Sequence, residues 1–265
     1  MHATDDLCKH LRATLLDMIY QAKSGHPGGS LSIVEICSVL FFELLQDFGK
    51  ESKPHRNRFV LSKGHAVPTV YACLAKLGLI QPEELKTLRT LGSRLQGHPD
   101  CVRMPCLEAA TGSLGQGLSI AQGIALGLQG SPAQVYCLIG DGEFQEGQVW
   151  EALLSAPKFK LSNLTVILDS NNGQIDGPVD QIMPIEPIAK KLDAFHWAVS
   201  TINGHSLPEI RAALTKKTDL KPHFVIAQTV KGKGISFMEN NIGWHGVAPK
   251  KEELLNALAE LGVTP

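Results

Sequence analysis

GDGEFQEGQVWEA at residues 140–152 and LTVILDSNNGQIDG at residues 164–177 decide how this chain is read. The apolar run LTVILD is the pattern of a buried strand, as is QVYCLI at residues 134–139 just before the first motif. Each run stops at a polar, glycine-containing turn. Asp141 follows the first predicted strand end, and Asn171 follows the second, thirty positions later. If the two strands are parallel neighbours, their ends meet. Asp141 then offers a carboxylate oxygen, Asn171 an amide oxygen and Gly173 a backbone carbonyl. An all-oxygen set with open positions suits Mg2+, with Ca2+ as a substitute, and leaves room for diphosphate oxygens and water; zinc would want nitrogen or sulfur.

Working outward, residues 4–23 predict an amphipathic helix with Leu7, Leu11, Leu15, Met18 and Ile19 on one stripe and Thr4 or Asp5 as its cap. SGHPGGS at residues 24–30 stops it. Residues 31–45 predict a second helix, apolar on most faces and so buried. A short strand at residues 58–61 runs into SKGHA, and helices follow at 67–77 and 82–88. Residues 92–112 read as irregular, a length of loop that usually carries a task. Residues 113–128 predict a helix in which Gly115, Gly117, Gly123 and Gly127 permit close packing, against an interface or the chain's own core. Further helices are expected at 146–155, 207–214 and 252–261, and further strands at 198–202 and 224–228. The alternation of strand and helix predicts an α/β fold, a mostly parallel sheet covered by helices, in a single domain over residues 1–265. Ligands in such folds gather beyond the carboxyl ends of the strands, where residues 62–65, 140–143 and 170–173 all fall.

Composition narrows the classes. The 265 residues carry 25 basic and 26 acidic side chains, so no basic surface for nucleic acid is expected. Neither a signal-peptide pattern nor an apolar run of membrane-spanning length is present, which points to a cytoplasmic protein without a membrane role. The six cysteines include no CxxC and read as reduced; Cys37, Cys73 and Cys137 fall in apolar runs. GxxxxGK[ST] and a GxGxxG after the first strand are both absent, so neither a P-loop nor a nicotinamide fold has motif support. Of the ten histidines, His26, His65, His98 and His245 sit beside glycines in irregular segments, where a group titrating near neutrality can exchange protons with a ligand. His2, His10 and His55 read as surface or structural, and His205 in NGHS as part of a strand-to-helix turn.

GDG followed after about thirty residues by NN resembles the thiamin diphosphate signature, and four further motifs narrow the family. SGHPGGSLS at residues 24–32, LSKGHA at 61–66, GHPD at 97–100 and TGSLGQGL at 111–118 resemble transketolase and occur in its order. The resemblance covers essentially the whole chain. It implies a three-layer thiamin-diphosphate-binding fold, with Mg2+ held by Asp141, Asn171 and the Gly173 carbonyl. It implies that Gly142 makes a backbone contact to the diphosphate, that His65 lies near diphosphate and substrate, and that Gly112 and Leu114 lie along the cofactor, Leu114 holding it bent. Asn171 would serve cofactor and metal together. His26, His65, His98 and His245 would be the catalytic histidines lining the substrate channel; the stretch ENNIGW before His245 departs from the pattern of the longer enzymes. Glu146 resembles a glutamate linking two cofactor sites across a dimer; an acidic residue at a helix start is the alternative.

The resemblance further implies a missing half. No acidic residue here matches the glutamate that activates the aminopyrimidine ring, and the basic residues that grip the sugar phosphate are expected elsewhere. The chain therefore resembles the N-terminal subunit of a split transketolase. Its partner would be a separate C-terminal subunit with the pyrimidine-binding and C-terminal domains, two copies of each chain forming a heterotetramer. The implied activity is the pentose phosphate reaction: reversible transfer of a two-carbon ketol unit from a ketose phosphate such as xylulose 5-phosphate to ribose 5-phosphate or erythrose 4-phosphate. The alternatives are a split enzyme for a branched or sulfonated ketose, the α subunit of a 2-oxo-acid dehydrogenase E1, and a non-catalytic homologue.

Overall fold

The computed structural model describes residues 2–50 and 52–263. β1 (Arg58–Leu61), β2 (Val135–Gly140), β3 (Leu164–Ser170), β4 (Ala198–Asn203) and β5 (His223–Gln228) form one sheet in the order β1-β2-β3-β5-β4. Every pairing is parallel. Side chains alternate between its two faces, as the two-residue period of a strand requires. Leu61, Tyr136, Leu138, Ile167 and Val225 enter one apolar core, while Val60, Cys137, Ile139, Val166 and Phe224 enter the other. Helices cover both faces, so the central strands are buried almost throughout. The edge strand β4 is not, and it reads as a weaker apolar run for that reason.

On the first face lie α1 (Asp5–Ala22), α4 (Val67–Lys76), α9 (Leu207–Leu214) and α10 (Lys251–Leu261), which share a core with the buried helical stretch after α1. Thr4 caps α1 as predicted, its hydroxyl accepting from the Leu7 N–H at 3.2 Å. The predicted helix at 31–45 is instead broken into α2 (Pro27–Leu31), α3 (Val34–Val39) and a π-helical turn at Leu40–Leu44. The break falls at Ser32, whose hydroxyl is drawn 2.6 Å from Asp169 and 3.1 Å from the Gly29 carbonyl. Residues of α3 are buried without exception, so its packing is within the chain. The predicted helix at 82–88 is a 3-10 turn, Pro82–Thr87.

The second face carries α5 (Gln116–Gly127), α6 (Gly147–Lys158), α7 (Val179–Ile182) and α8 (Ile188–Ala194). No periodic signal marks α7 and α8, which span only 4 and 7 residues. α5 starts later than predicted because Gly115 stands before it in the left-handed region, φ 86°. Gly117 is there for contact: a Cβ would lie 2.4 Å from Ser62 Oγ, so the helix docks directly on the turn after β1. Gly123 and Gly127 differ from that expectation, since a Cβ on either would meet nothing within 4 Å. They face outward beside exposed Ile120, Leu126 and Leu154. No described helix is long and apolar enough to cross a membrane. Cys8, Cys37, Cys73 and Cys137 are buried free thiols.

Candidate active site

The parallel register puts Gly140 opposite Asp169 and Ser170 opposite Gln228. The turns after β1, β2, β3 and β5 therefore open onto one place. They surround a cavity of about 310 Å³. All eleven residues singled out in the sequence line it: His26, His65, His98, His245, Gly112, Leu114, Asp141, Gly142, Glu146, Asn171 and Gly173. Motifs up to 219 residues apart, from His26 to His245, are brought together by sheet order rather than by local sequence.

At the floor, Asp141 is 3% exposed. Its Oδ2 accepts the Asn171 N–H at 3.0 Å and its Oδ1 accepts the Gly142 N–H at 2.9 Å. Burial, with the Asp169 charge behind it, pushes its pKa up to about 6. A carboxyl disfavoured in its charged form in this way gains from a cation. Asn171 Nδ2 donates to Asp169 at 2.8 Å, which fixes the amide so that Oδ1 faces the Gly173 N–H at 3.0 Å. Among the described residues no group of three or more His, Cys, Asp or Glu is placed to hold a metal. A metal here must use one carboxylate with amide and carbonyl oxygens, a set that fits Mg2+ or Ca2+.

Two lysines that no sequence motif singled out are built into the same floor. Lys63 and Lys231 are each 2% exposed. Lys63 pairs with Asp169, and Nζ also donates to the Gly29 carbonyl at 3.0 Å. Lys231 Nζ reaches the Gly173 carbonyl at 3.1 Å and His245 Nδ1 at 3.0 Å. Burial, then the Lys63 charge, lowers its pKa to about 8. Lys231 brings a buried ammonium beside the oxygen-ligand set, which suits an anion, while the Lys63 charge is paired with Asp169. Position is the only signal for them: SKGHA and TVKGKG both follow strand ends. Gln174 is a further lining residue without a sequence signal, with a buried Oε1 that has no partner among the described residues.

Above the floor the four histidines form one cluster. Ring centres of His26 lie 5.2 Å from His65, 6.4 Å from His98 and 5.6 Å from His245. His65 and His245 stack at 5.6 Å. Burial and the cations around them lower the pKa of all four. His26 is lowered to about 4 by burial and Arg89, and His245 to about 3 by burial and Lys231. His65 is pushed well below the ordinary range by burial and Lys63, and His98 is lowered by burial and Arg89. Arg89 stands at the edge of the cluster, donating to Ser24 Oγ at 3.2 Å. A neutral imidazole offers a lone pair to a hydroxyl's hydrogen, which imidazolium does not. Gly112 brings its backbone against His98, whose ring would lie 2.9 Å from a Cβ there. Leu114 is half-buried on the wall, and Glu146 is exposed at the rim, in an extended turn just before α6 rather than within it.

The same shifts set a pH dependence. A histidine whose folded pKa lies below its unfolded value of 6.5 opposes folding once the unfolded chain takes up protons that the folded chain refuses. The contribution is absent above about pH 6.5 and grows as pH falls toward 4 for His26 and 3 for His245. Urea midpoints are expected to fall steadily between pH 7 and 4, and the slope to flatten in a chain carrying His26→Gln and His245→Gln. Equal slopes in both chains would show that these rings titrate freely.

Likeness to known proteins fits this arrangement. The family model described as transketolase, thiamine diphosphate binding domain, matches residues 3–265. A 6-deoxy-6-sulfo-D-fructose transketolase subunit of Clostridium sp. is 42% identical over 256 residues, covering 95% of this chain and 93% of that protein. One subunit of the apulose-4-phosphate transketolase of Phocaeicola vulgatus is 38% identical over 257 residues, covering 94% and 90%. The solved transketolase from Leishmania mexicana superposes with a TM-score of 0.93 at 31% identity, over 100% of this chain but 42% of that one. The chain thus spans about two fifths of a long transketolase and nine-tenths or more of the two subunits. A model match along nearly the full length and relatives well above 30% identity lead to one conclusion: this chain belongs to the transketolase family, as a thiamin diphosphate-binding domain of the kind found in split enzymes.

Proposed function

We propose that this chain, read as one domain over residues 1–265, is the diphosphate-holding subunit of a two-chain transketolase, moving a two-carbon ketol unit from an anionic ketose to an aldose phosphate. The observation that carries the reading is the four-histidine cluster lining the same cavity as the oxygen-and-lysine floor. Asp141, Asn171 and the Gly173 carbonyl would hold Mg2+, or Ca2+ in its place. Lys63, Lys231 and the backbone at Gly142 would meet the diphosphate, and Gly112 and Leu114 would lie along the cofactor. When bound, thiamin diphosphate supplies the nucleophilic carbon and electron sink for carbon–carbon cleavage. The histidines do the rest of the proton work. His26, His98 and His245 accept and return hydroxyl protons of the sugar, and His65 bridges the sugar and diphosphate ends. Packing against one another holds the rings in one geometry.

The partner would be a separate C-terminal subunit, with two copies of each chain. Supporting this, two relatives of similar length are named as subunits, and the outward face of α5 and α6 exposes Ile120, Leu126 and Leu154 beside two glycines. Glu146 at the rim would link two cofactor sites across a dimer. The names of the same relatives support a branched or sulfonated ketose as a donor class to test beside xylulose 5-phosphate. The test is co-expression with the adjacent reading frame and an assay of two-carbon transfer to ribose 5-phosphate from xylulose 5-phosphate, apulose 4-phosphate and 6-deoxy-6-sulfofructose. Transfer by the pair and not by either chain supports the reading. Transfer by this chain alone, or by no combination of donor and chains, overturns it.

A further inference from the structure

Lys231 and His245 enter the cavity from the segment after β5, and that segment is fixed at its start by side chains from three distant elements. The Val230 N–H donates to Nε2 of His205 at 2.9 Å. A peptide N–H can only donate, so Nε2 must offer its lone pair. The ring proton is therefore on Nδ1, which donates to Glu35 Oε2 at 2.9 Å. Glu35, on α3, forms an ion pair with Arg12, whose Nη2 lies 2.7 Å from its other oxygen. Arg12, on α1, turns its Nε to the Lys233 carbonyl at 2.8 Å. Gly234 leaves room for that guanidinium, since a Cβ there would stand 2.8 Å from Nε.

Glu35 is thus the pivot of a clamp with two jaws. His205 closes one on the N–H of Val230, and Arg12 closes the other on the carbonyl of Lys233. Lys231 lies between them. The clamp is dry: His205 and Glu35 side chains are 13% and 9% exposed, and Arg12 is 6%. Burial pushes the Glu35 pKa up, but the His205 hydrogen bond and the Arg12 charge outweigh it, so the pivot stays ionised. His205 itself does not line the cavity. It can act on the site only through the backbone it holds.

We infer that His205 is a positioning residue for the reaction: as the neutral Nδ1–H tautomer it spans Glu35 and Val230, and so sets where Lys231 and His245 meet the diphosphate and the sugar. This rests on reading the cavity as a transketolase site, and its test separates the two. Asparagine at 205 has an amide N–H near the place of Nδ1 but nothing that reaches Val230. Glutamine reaches Val230 with an acceptor. Hydrogen exchange of the chain alone, followed by mass spectrometry, is the first measurement. His205→Asn should speed exchange across residues 229–246 by about tenfold or more and leave the rest of the chain near wild type, because a local opening free energy has been lowered. His205→Gln should restore most of the protection. In the assembled enzyme His205→Asn should lower kcat by about 10- to 100-fold, the scale of a misplacement near 1 Å, with kcat largely recovered by glutamine. Unchanged exchange at 229–246, a uniform rise over the whole chain, or full kcat in the asparagine variant overturns the inference. If wild-type pairs transfer nothing while the exchange pattern holds, the functional reading fails and the clamp stands.

Discussion

Asp141→Ala is expected to abolish metal-dependent retention of thiamin diphosphate by the assembled enzyme. Asp141 is the one carboxylate among the three proposed ligand oxygens, and it also receives the Asn171 N–H that sets the second ligand's backbone. Removing residues that merely orient ligands costs about 10–100-fold in metal affinity, so losing the charged ligand should cost about 100-fold or more. Asp141 is moreover a burdened carboxyl, raised to about 6 by burial and Asp169. The alanine chain sheds that burden but leaves the Asn171 and Gly142 N–H groups without their acceptor, so the two changes offset in part and the main failure should be one of binding. Calorimetric titration of Mg2+ and thiamin diphosphate into the two-chain complex measures it; affinity within about fivefold of wild type would mean that Asp141 is not a ligand.

Asp169→Ala should have the largest effect on stability. The side chain is 0% exposed and accepts from Ser32, Lys63, Asn171 and Thr229, tying the turns after α2, β1, β3 and β5 into one unit. Burial pushes its pKa up, yet Lys63 and the Ser32 and Thr229 hydroxyls together outweigh burial and keep it below the ordinary range. Deleting it leaves the Lys63 ammonium buried with only the Gly29 carbonyl, and stranding one half of a buried pair costs about 3–5 kcal/mol. Adding Lys63→Met to the same chain removes the stranded charge and should recover a large part of that loss in urea denaturation. A single-variant loss below about 1 kcal/mol, or no recovery in the double variant, would show that the pair is not what holds these turns together.

Lys63 and Asp169 also show where the sequence stops being legible. The β2 and β3 strands can be read because they are unbroken apolar runs ending in glycine turns. The histidines can be read because each sits in a glycine-flanked motif. The single helix expected at 31–45 is wrong, since a stretch apolar on most faces gives little period and cannot reveal that Ser32 turns toward Asp169. Lysines in SKGHA and TVKGKG carry the same letters as surface lysines. Their burial depends on Asp169 for one and on Gly173 and His245 for the other. His205 reads only as a turn residue, which its backbone is, while its side chain works 25 positions away at Val230 and 170 positions away at Glu35.

By itself the sequence determined the strands, the order of the motifs and hence the family and its cofactor, because those are written in local apolar runs and short spacings. The tertiary structure alone decided which charges are buried together and what holds the loop after β5. Lys63 meets Asp169 across 106 residues, and Lys231 meets Gly173 across 58, because the parallel order β1-β2-β3-β5-β4 stacks those strand ends side by side. A partner so distant in sequence is fixed by sheet order and packing, which no local pattern encodes.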